Sequence, residues 1–232
     1  NEPLEQFVEV PVQLKQVAAI SPDEMNSQEI DEGVFLIGGN NTYALFVEME
    51  DHVVAIGGTQ TVPASIKEMR KHIVDKPIKY GVLTHHHNDH TPGAAAYAKE
   101  GATIITFEEN EALVRKAAGD EDARLEFVRD HMTLTDGNKK VELYNIGPTP
   151  HAENILIAYL PDEGIIFEAD HFPQPATGVI PPAVPATVAF AAALDELDLA
   201  YTKIVGAHSK RVAGPADIEN ALNKGSAAAG SR

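Results

Sequence analysis

Four histidines and an aspartate crowd into six consecutive residues, His85-His86-His87-Asn88-Asp89-His90, and nothing else in the 232-residue chain constrains its fold as strongly. The run follows an apolar stretch, IKYGVLT (78–84), that reads as a buried strand. It precedes Thr91-Pro92, which reads as a helix start with Thr as N-cap and Pro at the first helical position, the helix covering AAAYAKE. Sites in α/β proteins collect at such strand ends. In extended backbone, residues i and i+2 point the same way, so His85 and His87 can hold one ion. The turn into the helix can aim Asp89 and His90 at a second point nearby. Imidazole and carboxylate are the donors that a borderline divalent metal takes. A purification tag would sit at a terminus, whereas this run is internal and flanked by structured segments.

The rest of the chain supplies the frame. Residues 1–30 read as an N-terminal arm, with Val8, Val10, Val12 and Leu14 alternating as an edge strand that contains Pro11. The domain proper is assigned to 31–224 and a flexible tail to 225–232. Three strand-like runs follow the arm, GVFLIGG (33–39), TYALFVEME (42–50) and HVVAIGG (52–58), joined by turns at Gly38-Gly39-Asn40-Asn41 and Glu50-Asp51. Val62, Ile66, Met69 and Ile73 then mark one face of a helix. A strand at 103–107 leads to a helical stretch from about Glu108, and the charged segment 119–139 reads as helix plus loop. Strands are expected at 141–147, 155–161, 164–169 and 203–207. The five prolines within 173–187 mark a surface loop. Helices are expected around Phe190, Leu194, Leu197 and Tyr201, and over 215–223. Strands first, then strands mixed with helices, imply an α/β sandwich with helices on its outer faces.

Composition excludes several functions. The formal charge is −17, from 18 basic and 35 acidic residues. Such a surface repels phosphate backbones and anionic bilayers, so neither nucleic acid nor membrane is an expected partner. No apolar run approaches the length of a bilayer span. The absence of cysteine removes thiol nucleophiles, disulfides and thiolate metal sites together. The acidity suits a periplasmic or secreted protein, although a cytoplasmic one is equally compatible with the lack of cysteine. Oligomeric state is left open.

The spacing His85-X-His87-X-Asp89-His90 after an apolar strand resembles the signature of the metallo-β-lactamase superfamily. The resemblance runs over roughly residues 33–223 and implies a four-layer αβ/βα sandwich carrying one or two metals, usually zinc. It also implies further donors in a fixed order. His151 stands in GPTPHAEN, Asp170 ends the strand of IIFEADHF, and His208 ends that of KIVGAHSK. Taken singly these are weak signals, since a lone His at a strand end is more often solvated and a lone Asp is often a turn residue. Their joint order is the argument. By resemblance, His85, His87 and His151 would form one site and Asp89, His90 and His208 a second, with Asp170 and a hydroxide bridging two zinc ions. Asp89 and Asp170 would be the carboxylates of the catalytic centre.

What that implies is a metal-dependent hydrolase in which the bridging hydroxide attacks a small ester, thioester, lactone or β-lactam-type substrate. Two divalent ions, two aspartates and a hydroxide leave the site formally +1, which would favour an anionic substrate on an otherwise acidic protein. Departures narrow the choice. One β-lactamase subclass uses a Cys at the second site, and none exists here, so Asp170 aligns the chain with the glyoxalase II and lactonase branch. Glyoxalase II has an additional basic helical region, for which this sequence has no counterpart. Quorum-signal lactonases of similar pattern place a Tyr where Pro173 stands, and the nucleases of the superfamily need basic surfaces or inserted domains. After the meander, a position usually rich in Asp reads Ile56-Gly57-Gly58-Thr59, so one common supporting carboxylate is missing. The alternative implied by the same motif is a mononuclear iron persulfide dioxygenase, for which iron would replace zinc. A structural zinc site is disfavoured, because closed sites prefer thiolates.

Overall fold

A computed structural model describes residues 25–229. The edge strand expected at Val8–Leu14 lies outside them. The first sheet begins with a meander, β1 (Asn26–Asp31), β2 (Val34–Gly39), β3 (Thr42–Glu48) and β4 (Val53–Ile56), antiparallel throughout. The β2–β3 turn is a two-residue loop with Asn40 and Asn41 both at positive φ (51° and 55°), the geometry that matches strand twist. Strand β1 straddles residue 30, where the sequence reading ended the arm.

Helix α1 (Val62–Met69) buries Val62, Ile66 and Met69 as its periodicity requires, and Ile73 is buried just beyond it. Then β5 (Ile78–Val82), α2 (Ala94–Lys99), β6 (Thr103–Thr106), α3 (Glu111–Ala118, preceded by one 3-10 turn) and β7 (Leu125–Phe127) complete a sheet in sequential order, with β4 to β7 parallel. The start of α2 corrects the sequence reading. The helix begins at Ala94 with Gly93 as its N-cap rather than at Thr91-Pro92. The Gly93 N–H is pinned to the Gly58 carbonyl at 2.7 Å, so the backbone is held two residues longer before it coils.

The second sheet has the order β13-β12-β11-β10-β9-β8. It comprises β8 (His131–Thr135), β9 (Lys140–Asn145), β10 (Leu156–Leu160), β11 (Ile165–Glu168), β12 (Lys203–Gly206) and β13 (Ser209–Ala213), with only β11 and β12 parallel. Helix α4 (Pro185–Glu196) fills the parallel crossover, and α5 (Pro215–Ala229) ends the described chain, running past residue 224 where the tail was set. The segment 119–139, expected as helix plus loop, instead supplies β7 and β8.

Three apolar clusters show the layering. One, with Leu36, Leu45, Val82, Leu143, Leu156 and Phe167, fills the space between the two sheets. A second lies between the first sheet and α1 to α3, around Ile37, Phe46, Ile66 and Tyr97. A third lies between the second sheet and α4 and α5, around Ile157, Phe190, Ile204 and Ile218. The order helices–sheet–sheet–helices is the expected αβ/βα sandwich.

Candidate metal centre

All seven expected donors emerge at C-terminal ends of strands on one rim of the sandwich. His85, His87, Asp89 and His90 follow β5, His151 sits between β9 and β10, Asp170 follows β11, and His208 follows β12. A hydrogen bond from Leu156 N to Thr84 O, 2.8 Å, ties the two sheets together at this rim. The histidine loop is held down from below, where an ideal Cβ on Gly58 would stand 1.9 Å from the His90 carbonyl oxygen. Only glycine allows that approach.

The structure gathers the seven side chains into two groups, His85, His87, His151 and Asp170 on one side and Asp89, His90 and His208 on the other, with the donor atoms of each group within 4.8 Å of one another. His85 Nε2 lies 2.9 Å from His87 Nδ1 and 3.1 Å from His151 Nε2. His90 Nε2 lies 3.0 Å from His208 Nε2. Asp170 touches both groups: Oδ2 is 3.3 Å from both His85 Nε2 and His151 Nε2 and 2.8 Å from His90 Nε2, while Oδ1 is 2.9 Å from His208 Nε2. Asp89 Oδ2 stands 3.5 Å from His90 Nε2 and 3.8 Å from His208 Nε2.

This donor set fits divalent metal. Several imidazole nitrogens facing one another can share few protons, so most present lone pairs to the same point, which only a cation rewards. The set is all nitrogen and oxygen, as zinc or iron accepts. Burial, followed by the neighbouring His90, lowers the His85 pKa to about 2, so its ring stays neutral and free to donate its lone pair. Burial alone would raise the Asp170 carboxyl, but hydrogen bonds from His208 and His90 overcome this and hold it well below the usual carboxylate range. The bond to Asp170 raises His208.

The outer contacts are uneven. His85 Nδ1 meets Thr84 Oγ1 at 3.1 Å and His208 Nδ1 meets the Asn41 carbonyl at 3.3 Å. His90 Nδ1 is buried and has no hydrogen-bond partner among the described residues. At Gly57-Gly58-Thr59, where the sequence offers no carboxylate, the Thr59 hydroxyl is engaged by Thr61. His171 is fully buried, with Nδ1 against the Ala169 carbonyl (2.9 Å) and Nε2 against Thr149 Oγ1 (3.0 Å). Thr149 Oγ1 in turn receives the His151 N–H at 3.2 Å. His86 points to solvent beside the group, and His52, His72 and His131 belong to neither donor group.

Sequence reasoning missed Glu168. It is 3% exposed at the end of β11, and burial pushes its carboxyl up to about 7. Its signal was a lone charge at the end of the apolar run IIFE. A cavity of ≈ 250 Å³ opens beside Asp170 and His208, lined also by Glu168, Phe172, Gln174 and Ser209.

The fold and rim together define a two-sheet αβ/βα protein with a His/Asp centre suited to divalent metal. The chain belongs to the metallo-beta-lactamase superfamily, whose family model matches residues 38–208. Among solved structures it is similar to a metallo-beta-lactamase from Pontibacter korlensis (18% identity, TM-score 0.67, covering 87% of this chain and 99% of that one). It is also similar to the metallo-beta-lactamase FIM-1 from Pseudomonas aeruginosa in its mono-zinc form (21%, TM-score 0.67, 88% and 96%). At those identities the likeness shows the fold. A curated relative, the 2,4-dinitroanisole O-demethylase subunit alpha of Nocardioides sp. (strain JS1661), is 25% identical over 164 residues, 68% of this chain. The chain spans about half the length of that relative, 49%.

Proposed function

We propose that the protein is a binuclear metal-dependent hydrolase, with zinc as the preferred ion, acting on a small ester, thioester, lactone or β-lactam-type substrate. The observation that carries the reading is the position of Asp170, whose two oxygens face both donor groups at once. When bound, divalent ions lower the pKa of water toward neutrality and polarise a carbonyl or phosphoryl oxygen. His85, His87, His151 and Asp170 would hold one ion, and Asp89, His90, His208 and Asp170 the other. The depressed pKa values of His85 and Asp170 keep these donors in their coordinating forms. The ≈ 250 Å³ cavity beside Asp170 and His208 is a size for a small acyl or aryl group rather than a polymer.

The name of the Nocardioides relative adds an aryl methyl ether to the substrate classes worth testing. We place the protein in the periplasm or outside the cell on the strength of its −17 charge alone. The test is elemental analysis of purified protein, followed by a hydrolysis screen over lactones, thioesters, β-lactams, phosphoesters and nitroaryl ethers. Two zinc ions per chain and turnover abolished by chelator are expected. One iron per chain with oxygen consumption on persulfides would replace this reading by the dioxygenase one.

A further inference from the structure

Asp170 stands in the left-handed region, φ +66°, which aspartate tolerates better than most residues and which makes a sharp turn after β11. The surroundings show what closes that turn. Glu168 Oε2 accepts the N–H groups of His171 (2.9 Å) and Phe172 (3.2 Å), and Oε1 faces Gln174 Nε2 at 3.4 Å. Every one of those donors comes from the segment immediately after Asp170. The Glu168 carboxylate therefore closes the turn on which Asp170 stands.

The same side chain abuts the strand that carries His208. Glu168 pairs with Gly206 in the parallel β11–β12 register, and its carbonyl accepts the Ala207 N–H at 3.0 Å. A Cβ on Gly206 would lie 2.8 Å from Glu168 Oε1, so glycine is what makes room for the carboxylate. The turn also reaches His151, because His171 bonds Thr149 Oγ1, which holds the His151 N–H. One buried carboxylate thus sits at the root of three donors from three separate loops.

We infer that Glu168 is a positioning residue that presents Asp170, and with it His151 and His208, in the arrangement that binds metal. The inference rests on the metal-centre reading above. Its mechanism is geometric: two backbone N–H groups and one glycine gap fix where the carboxylate lies, and the carboxylate fixes the turn.

The test loads cobalt(II) into the metal-free parent and the variants Glu168→Ala, Glu168→Gln and Gly206→Ala. It reads affinity by competition with a chromogenic chelator and geometry by the visible d–d bands, with thermal unfolding of the metal-free forms as control. Glu168→Ala should weaken cobalt binding about tenfold to a hundredfold, the range for removing a supporting partner of a metal ligand, and should change the bands. Glu168→Gln keeps an acceptor oxygen for the two N–H groups and should restore most of both. Gly206→Ala crowds the carboxylate from the other side and should reproduce the band change. Parental affinity and bands in Glu168→Ala, or in Gly206→Ala should Glu168→Ala not fold, would overturn the inference, as would a folded Glu168→Gln as impaired as the alanine variant. A parent that binds no cobalt would overturn the metal-centre reading itself, whereas a parent that binds with indifferent variants would overturn only the role of Glu168.

Discussion

The two donor groups share Asp170 but are built differently. In the first, the His85 side chain is wholly buried, its ring is held from behind by Thr84, and burial keeps it neutral. In the second, the Asp89 side chain is 57% exposed and that of His208 38% exposed, and the buried His90 ring has no partner on its rear nitrogen among the described residues. A partner on the rear nitrogen orients an imidazole and raises its basicity as a ligand. Seven donors of the right chemistry therefore need not make two equal groups. The first group is preorganised by the core, while the second depends on solvent-exposed side chains and on the turn at Asp170.

The largest effect should come from the residue both groups share. Asp170→Ala should cost more than the ~10–100-fold loss in metal affinity or activity typical of an outer partner, emptying both groups. Asp162→Ala, in the turn between β10 and β11, should leave metal content unchanged. Equal behaviour of the two variants in elemental analysis would remove Asp170 from the centre.

Next, Asp89→Ala should take the fully loaded protein from two metals per chain toward one, whereas His87→Ala should release the tighter-bound ion. Chelator competition in two phases checks this, and a single phase in the parent would abolish the contrast between the groups.

Acid should separate them by sign. The His208 pKa is raised above its ordinary 6.5, so protons compete for that ring even near neutrality and the second group should empty first as pH falls. Dialysis against chelator at pH 8 and pH 5 should lose metal faster at pH 5, the exposed group leading. In the metal-free protein His85 acts the other way from His208. The fold refuses a proton that the unfolded chain accepts below pH 6.5, so stability falls on acidification, by up to about 2 kcal/mol at pH 5. The His208 contribution is full below 6.5 and is lost as pH rises through its raised value. Metal-free His85→Gln should therefore lose less stability between pH 7 and pH 5 than the parent, measured by denaturant unfolding.

The smallest effect belongs to Thr84→Val, which removes the hydroxyl behind His85. Metal affinity of the first group should drop by no more than about tenfold.

Much of this was legible in the sequence because it was written in repeating patterns. Strands β2 to β4, α1, β5, β6 and β9 to β12 announced themselves through apolar runs and helical spacing. What escaped were β1, β7, β8 and β13. Leu125–Phe127 is only three residues long, and Asn26–Asp31, His131–Thr135 and Ser209–Ala213 carry polar residues because each lies at a sheet edge. An edge strand has one neighbour and a half-wet face, so its residues need not be apolar. Glu168 escaped because a buried carboxylate is defined by what surrounds it, and nothing local in the sequence shows that Gly206 leaves it room.

The donor chemistry and its order are written in the residues: imidazoles and carboxylates, no thiol, each beside an apolar strand that would carry it to a common rim. How those donors meet is a matter of packing between the two sheets. Whether one carboxylate faces two groups depends on the parallel register of β11 against β12, on the positive φ of Asp170, and on a hydrogen bond from Leu156 to Thr84 that locks two sheets together. The register and the hydrogen bond are contacts between residues tens of positions apart. Their geometry is set by packing across the sandwich, where the side-chain pattern along one strand says which face is buried but not what it will meet.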